Sequence, residues 1–181
     1  MSGDWNGSRT DKQGRVEYLR PIDGRMPPKD LDAEAAVLSA IILASGTPAD
    51  VEDYKRRIDD ALLVLRPEHF FSDANQKIFQ AVVELSAADR SVDVLTVRSW
   101  LQDRDLLQRV GGAAYLAQIL DSVPAISNIG EYANKIIEKW RMRRLISSGQ
   151  RIVAEAYGTV EDPRAFIDAA EEEIFEIASD R

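Results

Sequence analysis

The sequence has 181 residues, of which 45% are hydrophobic and 30% charged, with a formal net charge of -8. This length and apolar content are enough to bury a core, so a folded chain is predicted. The lack of cysteine excludes disulfides and cysteine-ligated metal sites, and a single histidine supplies histidine-based sites poorly. The negative net charge argues against a surface that binds nucleic acid by neutralising its phosphates, so any nucleic-acid role is expected to be indirect.

The chain carries neither a membrane span nor a secretory signal by the usual sequence criteria. No apolar run approaches the roughly 20 residues that cross a bilayer, and the opening MSGDWNGSRTDKQGR has no apolar centre. We therefore predict a cytoplasmic protein with no membrane partner. Residues 1–26 hold four glycines, mixed charges and no regular period, which predicts a flexible leader that ends before Pro27 and Pro28.

Helical periodicity begins at Asp30, and no segment shows the alternation of a strand. Asp30 is predicted to cap a first helix, which the SGTP stretch at 45–48 ends, with an inward face of Leu31, Ala35, Leu38 and Ile42. A second helix is predicted to carry Tyr54, Ile58, Leu62 and Leu65. Together with the helices that follow, these elements predict a compact helical lobe over residues 27–126.

Two further helices are predicted from capping patterns. Asp73, with Gln76 three residues later, forms a capping-box pattern ahead of an apolar run. Asp93 is predicted to cap the next helix, whose inward residues are Val94, Val97, Trp100 and Leu101.

The stretch RVGGAAYLAQIL contains a glycine pair, Gly111 and Gly112, directly ahead of a short amphipathic run. Such a pair can be a phosphate-binding loop or a bend between helices. A phosphate loop of the GxxxxGK[ST] kind also needs a lysine, a hydroxyl and a preceding strand, none of which is present. A bend that glycine makes possible is therefore the favoured interpretation.

Residues 127–181 predict two long helices joined by a short loop. Asn128 and Glu131 suggest the start of the first, Gly158 ends it, and Asp162 with Pro163 starts the second. The first helix is basic and the second acidic. An antiparallel hairpin is predicted that brings Arg141, Arg143 and Arg144 level with residues 171–176, and the fold class is all-α.

The two predicted arms carry more apolar residues than one seam between them needs. The first arm has one stripe of Ile129, Ile136 and Trp140 and another of Met142, Leu145, Ile146, Gly149, Ile152 and Val153. On the second arm Ile167, Ala170, Ile174 and Ile177 follow a heptad-like line, with Phe166 and Phe175 off it. The surplus face is predicted to cover either the chain's own lobe, another copy or another protein.

No catalytic, metal-binding or cofactor-binding residue is predicted. His69, in RPEHFFSD, is interpreted as a structural histidine near the surface, because phosphotransfer or metal binding would need supporting side chains. The run AEEEIFEIASD is interpreted as a solvated face, because bundle-type carboxylate metal sites also use histidine. The residues alone indicate a helical interaction module that is not an enzyme.

Four segments taken together resemble the N-terminal domain of bacterial replicative DNA helicases of the DnaB type. They are PPKDLDAEAAVLSAII from Pro27, LRPEHFFSDANQKIFQAVVEL from Leu65, SVDVLTVRSWLQDRDLLQRVGGAAYLAQIL from Ser91, and SVPAISNIGEYANKIIEKWRMRRLI from Ser122. The resemblance extends from about Pro27 to Arg181.

This resemblance implies a collar domain that forms dimers through its hairpins and then a trimer-of-dimers hexamer. It implies docking of primase and of a helicase loader, and contact with single-stranded DNA only through the full-length ring. ATP and magnesium would bind in a C-terminal ATPase domain, which this chain lacks, so no cofactor is expected here. The alternative is a stand-alone adaptor that mimics the helicase domain and regulates primase or helicase.

The surplus apolar faces and the resemblance together select a set of candidate interface residues. Primase docking is expected to involve Tyr115 and Ile152 in particular. The full set is Tyr115, Ile136, Trp140, Arg144, Leu145, Ile146, Ile152, Ile174 and Phe175.

Overall fold

The computed structural model describes residues 24–44, 52–122 and 128–179, without the side chains of residues 52–54. The predicted leader up to residue 23, the SGTP helix stop and the Tyr54 side chain therefore lie outside the described residues. The described residues form seven α-helices and one 3-10 turn, Pro67–His69, and contain no strand. The helices are α1 Leu31–Leu43, α2 Glu52–Val64, α3 Asp73–Ala87, α4 Val94–Asp103, α5 Gly112–Leu120, α6 Ile129–Ala156 and α7 Pro163–Ser179. The predicted all-α fold is confirmed.

The chain divides into two compact units. The first, which we call the lobe, is Lys29–Trp140, and the second contains residues 141–179 with the described residues 24–28. We call residues 141–179 the hairpin. The sequence predicted a lobe that ends at residue 126. In the structure, Ile129, Ala133 and Ile136 of α6 are buried in the lobe core. The predicted ranges 1–26, 27–126 and 127–181 stay a prediction.

Helix α1 packs on both α3 and α5, and α3 also packs on α4. Because α1 has neighbours on more than one side, its buried surface is wider than a single stripe. Val37, Leu38 and Ile42 are fully buried, whereas Leu31 is 42% exposed in the first turn. The prediction that Leu31 faces inward was therefore wrong.

The helix caps show where short-range sequence patterns succeed. Asp30 accepts a hydrogen bond from the amide of Ala33 at 3.0 Å, which confirms it as the cap of α1. Asp93 and Thr96 form a reciprocal capping box on α4, and the hydrogen bond from the Thr96 amide is the main reason that the pKa of Asp93 is lowered. Asp73, however, is not a cap: Ser72 accepts from the Asn75 amide, and Asp73 is already helical.

The glycine pair forms a bend, as predicted. Gly111 has φ +98° and Gly112 has φ +70°, and Gly111 lies directly before the first residue of α5. These values lie in the left-handed region that favours glycine. A Cβ atom on Gly111 would lie 2.8 Å from the Cβ of Tyr115, so both the turn and the packing of Tyr115 require glycine at this position.

A buried carboxylate that the sequence analysis did not single out joins three helices of the lobe. Glu34 of α1 is 2% exposed and accepts hydrogen bonds from the amides of Phe71 and Ser72 and from Nδ2 of Asn75, at 2.6, 3.3 and 2.8 Å. The Tyr115 hydroxyl of α5 donates to Oδ1 of Asn75 at 2.9 Å. A charge at the N-terminus of α3 is favourable, because the unpaired helix amides and the helix dipole both attract an anion.

We predict that Glu34→Ala lowers the free energy of unfolding by about 2–4 kcal/mol, because one buried donor on Asn75 and two half-buried amides lose their acceptor. Urea denaturation followed by circular dichroism measures the change. Asp32→Ala is the matched control, since Asp32 lies in the same helical turn but is exposed. The control is expected to cost less than about 1 kcal/mol. Equal losses in the two variants would contradict the structural role of Glu34.

Candidate interaction surface

The hairpin is held by a polar cluster between its two helices. The Ser148 hydroxyl of α6 donates to Oε1 of Glu173 of α7 at 2.7 Å, and Arg151 forms an ion pair with the other oxygen of Glu173. Both contacts join α6 to α7 across the connection at residues 157–162, so the helices run antiparallel as predicted. Asp162 accepts hydrogen bonds from the amides of Arg164 and Ala165, which confirms it as the cap of α7.

The predicted pairing of a basic helix with an acidic helix is correct in sign, and it includes an ion pair that the sequence did not predict. The ion pair uses Arg151, which lies nearer the connection than the predicted Arg141, Arg143 and Arg144. The positive charge of Arg144 also acts on Glu173. Arg143 instead donates to the carbonyl oxygen of Pro28 at 2.9 Å, so the segment before α1 is bound to α6.

Glu173 is held in its charged form. Burial, which is the largest single influence, raises the pKa of Glu173, but hydrogen bonds from Ser148 and Arg151 and the positive charges of Arg151 and Arg144 outweigh it. The net pKa of Glu173 is therefore below its ordinary value. The pKa of Arg151 is raised, mainly by its hydrogen bond to Glu155.

The predicted heptad line on α7 is divided between the inside and the outside of the hairpin. Ile177 is buried and Ala170 half-buried, but Ile174 is 46% and Ile167 55% exposed. The inward line instead contains Phe166, Ala170, Glu173 and Ile177. Glu173 can occupy an inward position because Ser148 and Arg151 satisfy its carboxylate, a pairing that a count of apolar residues does not detect.

Each helix of the hairpin presents apolar side chains to solvent, and we call these residues the outer face. On α6 these residues are Met142, Leu145 and Val153, which lie along one line of the helix together with Gly149. On α7 two of them are seven residues apart and so lie on one side of the helix. The outer face contains Met142, Leu145, Val153, Ile167, Ile174 and Phe175, each at least 40% exposed. Exposed apolar groups of this kind mark interaction surfaces.

The structure places three of the nine candidate interface residues, Leu145, Ile174 and Phe175, on the outer face. Ile146, Ile152 and Arg144 are half-buried on α6. The remaining three belong to the lobe, where Ile136 is 2% exposed in the core and offers no surface to a partner. The choice of Ile136 is corrected on that ground. Tyr115 and Trp140 are half-buried, and the interface roles of all the others stay a prediction.

His69 is a buried residue rather than one near the surface. It is 6% exposed, its Nδ1 accepts from the amide of Arg66 at 3.1 Å, and its ring centroid lies 4.4 Å from that of Trp140. Within residues 24–44, 52–122 and 128–179, no group of three or more histidine, aspartate or glutamate residues is placed to hold a metal ion. The described helices also include none that is long and apolar enough to cross a membrane.

Comparison with known proteins decides the family. Residues 26–138 match the family described as DnaB-like helicase N terminal domain. The chain belongs to this family. The DnaB-like resemblance inferred from the four sequence segments is therefore confirmed.

Individual relatives agree with the family. The chain is 36% identical to the replicative DNA helicase DnaB of Mycobacterium leprae over 87% of its length, and 36% identical to the replicative DNA helicase DnaC of Bacillus subtilis over 87%. It spans only 25% and 32% of the lengths of those relatives. The crystal structure of the N-terminal domain of DnaB helicase from Mycobacterium tuberculosis superposes with a TM-score of 0.72 at 36% identity, covering 83% of this chain and 99% of that one.

The lowered pKa of Glu173 predicts that the hairpin of this DnaB-like domain loses stability in acid. Because the folded pKa of Glu173 is below its unfolded value, its ionised form contributes stability above the unfolded pKa and loses it as the pH falls through the folded pKa. We predict that Glu173→Gln is less stable than the wild type near neutral pH and that the difference shrinks toward about pH 3. Urea denaturation at a series of pH values measures this.

The matched control is Glu176→Gln, at an exposed carboxylate one turn further along α7. The control should follow the pH dependence of the wild type closely. A wild-type advantage over Glu173→Gln that stays constant down to the lowest pH would contradict the assignment of Glu173 as a stabilising anion.

Proposed function

We propose that this chain is the assembly and partner-docking domain of a hexameric replicative DNA helicase. In this proposal two copies pair through their hairpins, and three such dimers form a collar. ATP, magnesium and DNA unwinding belong to a C-terminal ATPase domain, and single-stranded DNA is contacted only through the complete ring in the cytoplasm. The chain itself has no catalytic role. The family match over residues 26–138 supports the proposal.

The observation that carries the proposal is the outer face of the hairpin. A large apolar side chain that moves from water into an interface contributes about 1.5–3 kcal/mol, whereas an exposed ion pair contributes about 0–1 kcal/mol. Val153 is 56%, Ile174 46% and Phe175 71% exposed. Burial of these side chains against a second copy provides the main driving force, and the charges adjust alignment.

We predict that Val153→Glu and Ile174→Glu each weaken self-association about tenfold or more, because each removes a buried apolar group and adds a charge to the interface. Light scattering coupled to size-exclusion chromatography, over a range of concentrations, measures the mass. The matched control is Thr159→Glu, which adds the same charge at an exposed position in the connection between the helices.

The control should keep the mass distribution of the wild type. A wild-type chain that stays monomeric at every concentration would contradict the proposal. So would unchanged association of both outer-face variants.

Primase and a helicase loader are the proposed partners beyond a second copy. Ile152 is half-buried beside the outer face, and Tyr115 is half-buried on α5. Because the Tyr115 hydroxyl holds Asn75, its replacement also disturbs the lobe, and Ile152 is the cleaner test. We predict that Ile152→Glu abolishes primase capture in a pull-down from purified components, while Thr159→Glu does not. Unchanged capture by a folded Ile152→Glu chain would remove this residue from the docking surface.

A further inference from the structure

The charge around the outer face is strongly one-sided. Between residues 141 and 179, the exposed charged residues are seven carboxylates and one guanidinium, and the partly exposed Arg151 is already paired with Glu155 and Glu173. Glu171 lies on the same side of α7 as Ile167 and Ile174, and Glu172 lies beside Phe175. The carboxylates are Glu155, Glu161, Asp162, Asp168, Glu171, Glu172 and Glu176, and the guanidinium is Arg164. This surface is therefore both apolar and acidic, which fits an occupant that combines apolar and basic side chains.

The segment that directly follows the leader is bound to the hairpin. Arg143 of α6 donates to the carbonyl oxygen of Pro28, and Arg143 is the neighbour of Met142, the first residue of the outer face. Gly24 has φ +72°, so the chain bends just before this anchored segment. The segment that follows the leader therefore lies next to Met142, the first residue of the outer face.

The sequence of the leader has the composition that this surface requires. Residues 9–20 contain four basic and two acidic side chains. Apolar residues are interleaved with these charges in the run RVEYLRPI, which contains Val16, Tyr18, Leu19 and Ile22. The leader is also long enough to cover the outer face. An extended chain covers about 3.3–3.6 Å per residue, whereas α6 rises only about 1.5 Å per residue.

We propose that residues 12–22 bind the outer face of the hairpin of their own chain, with Val16, Leu19 and Ile22 against its apolar side chains and Lys12, Arg15 and Arg20 against its carboxylates. This inference rests on the proposed function in one respect: the leader then competes with the second copy for the same surface. If the leader is bound in half of the monomers, only one copy in two has a free outer face. Because both copies must be free to pair, the apparent dimer Kd rises about fourfold.

Because the chain has no cysteine, a spin label can be placed at a single introduced cysteine, Gly14→Cys. NMR spectra of the full chain at a concentration where it is monomeric should show broadening of the amide signals of residues 142–153 and 167–175. Leu19→Asp should abolish the broadening, whereas Thr10→Asp, which adds the same charge at a polar position, should not. Salt near 1 M should weaken the contact, because it screens charges beyond about 3 Å.

Absence of broadening in the labelled wild-type chain would overturn the inference. The control is a mixture of two chains: one carries the spin label but no NMR-active isotopes, and the other carries the isotopes but no spin label. Equal broadening in this mixture would also overturn the inference, since the contact would then be between copies. A second measurement separates this inference from the assembly proposal. Deletion of residues 1–23 should lower the dimer Kd about fourfold or more if half or more of the leader is bound.

An identical Kd with and without residues 1–23 would overturn the competition while leaving assembly intact. A chain that never self-associates, but still shows the broadening, would contradict the assembly proposal and support the contact of the leader with the hairpin.

Discussion

Two antiparallel helices can bury only one side of each against the other, and this limit governs the hairpin of this domain. The inward side is filled by Phe166, Ala170 and Ile177, together with a glutamate that needs the hydroxyl of Ser148 and the guanidinium of Arg151 to be stable there. The apolar residues left over face solvent. A surface of this kind is a cost to an isolated chain, which is why we place the function of the hairpin in contacts with other segments and other molecules.

The lobe is held together by buried polar groups as well as by its apolar core. Glu34, Asn75 and Tyr115 link three helices through buried hydrogen bonds, and the left-handed turn at Gly111 makes room for Tyr115. A network in which every member is satisfied favours one arrangement of the helices, because any other would leave buried donors unpaired.

Much of the fold follows from short-range patterns in the sequence, since helix caps and glycine turns depend on residues only a few positions apart. The caps at Asp30, Asp93 and Asp162 and the bend at Gly111 are local in this sense and were predicted. What depends on contacts between distant segments was not predicted: the exposure of Leu31, the burial of His69 and Ile136, the role of Glu34 and the ion pair of Arg151 with Glu173. A sequence period shows which residues share a side of a helix, but not which side the neighbouring helices cover.

In the proposed dimer, the outer face of one hairpin lies against that of a second copy. A single spin label at Glu155→Cys, in a chain that has no other cysteine, tests it directly by double electron–electron resonance, because one label per chain can give a distance only between copies. We expect a single, well-defined distance between labels, with a modulation depth that grows with protein concentration. A signal without dipolar modulation, at concentrations where light scattering finds association, would show that the copies do not pair through this surface.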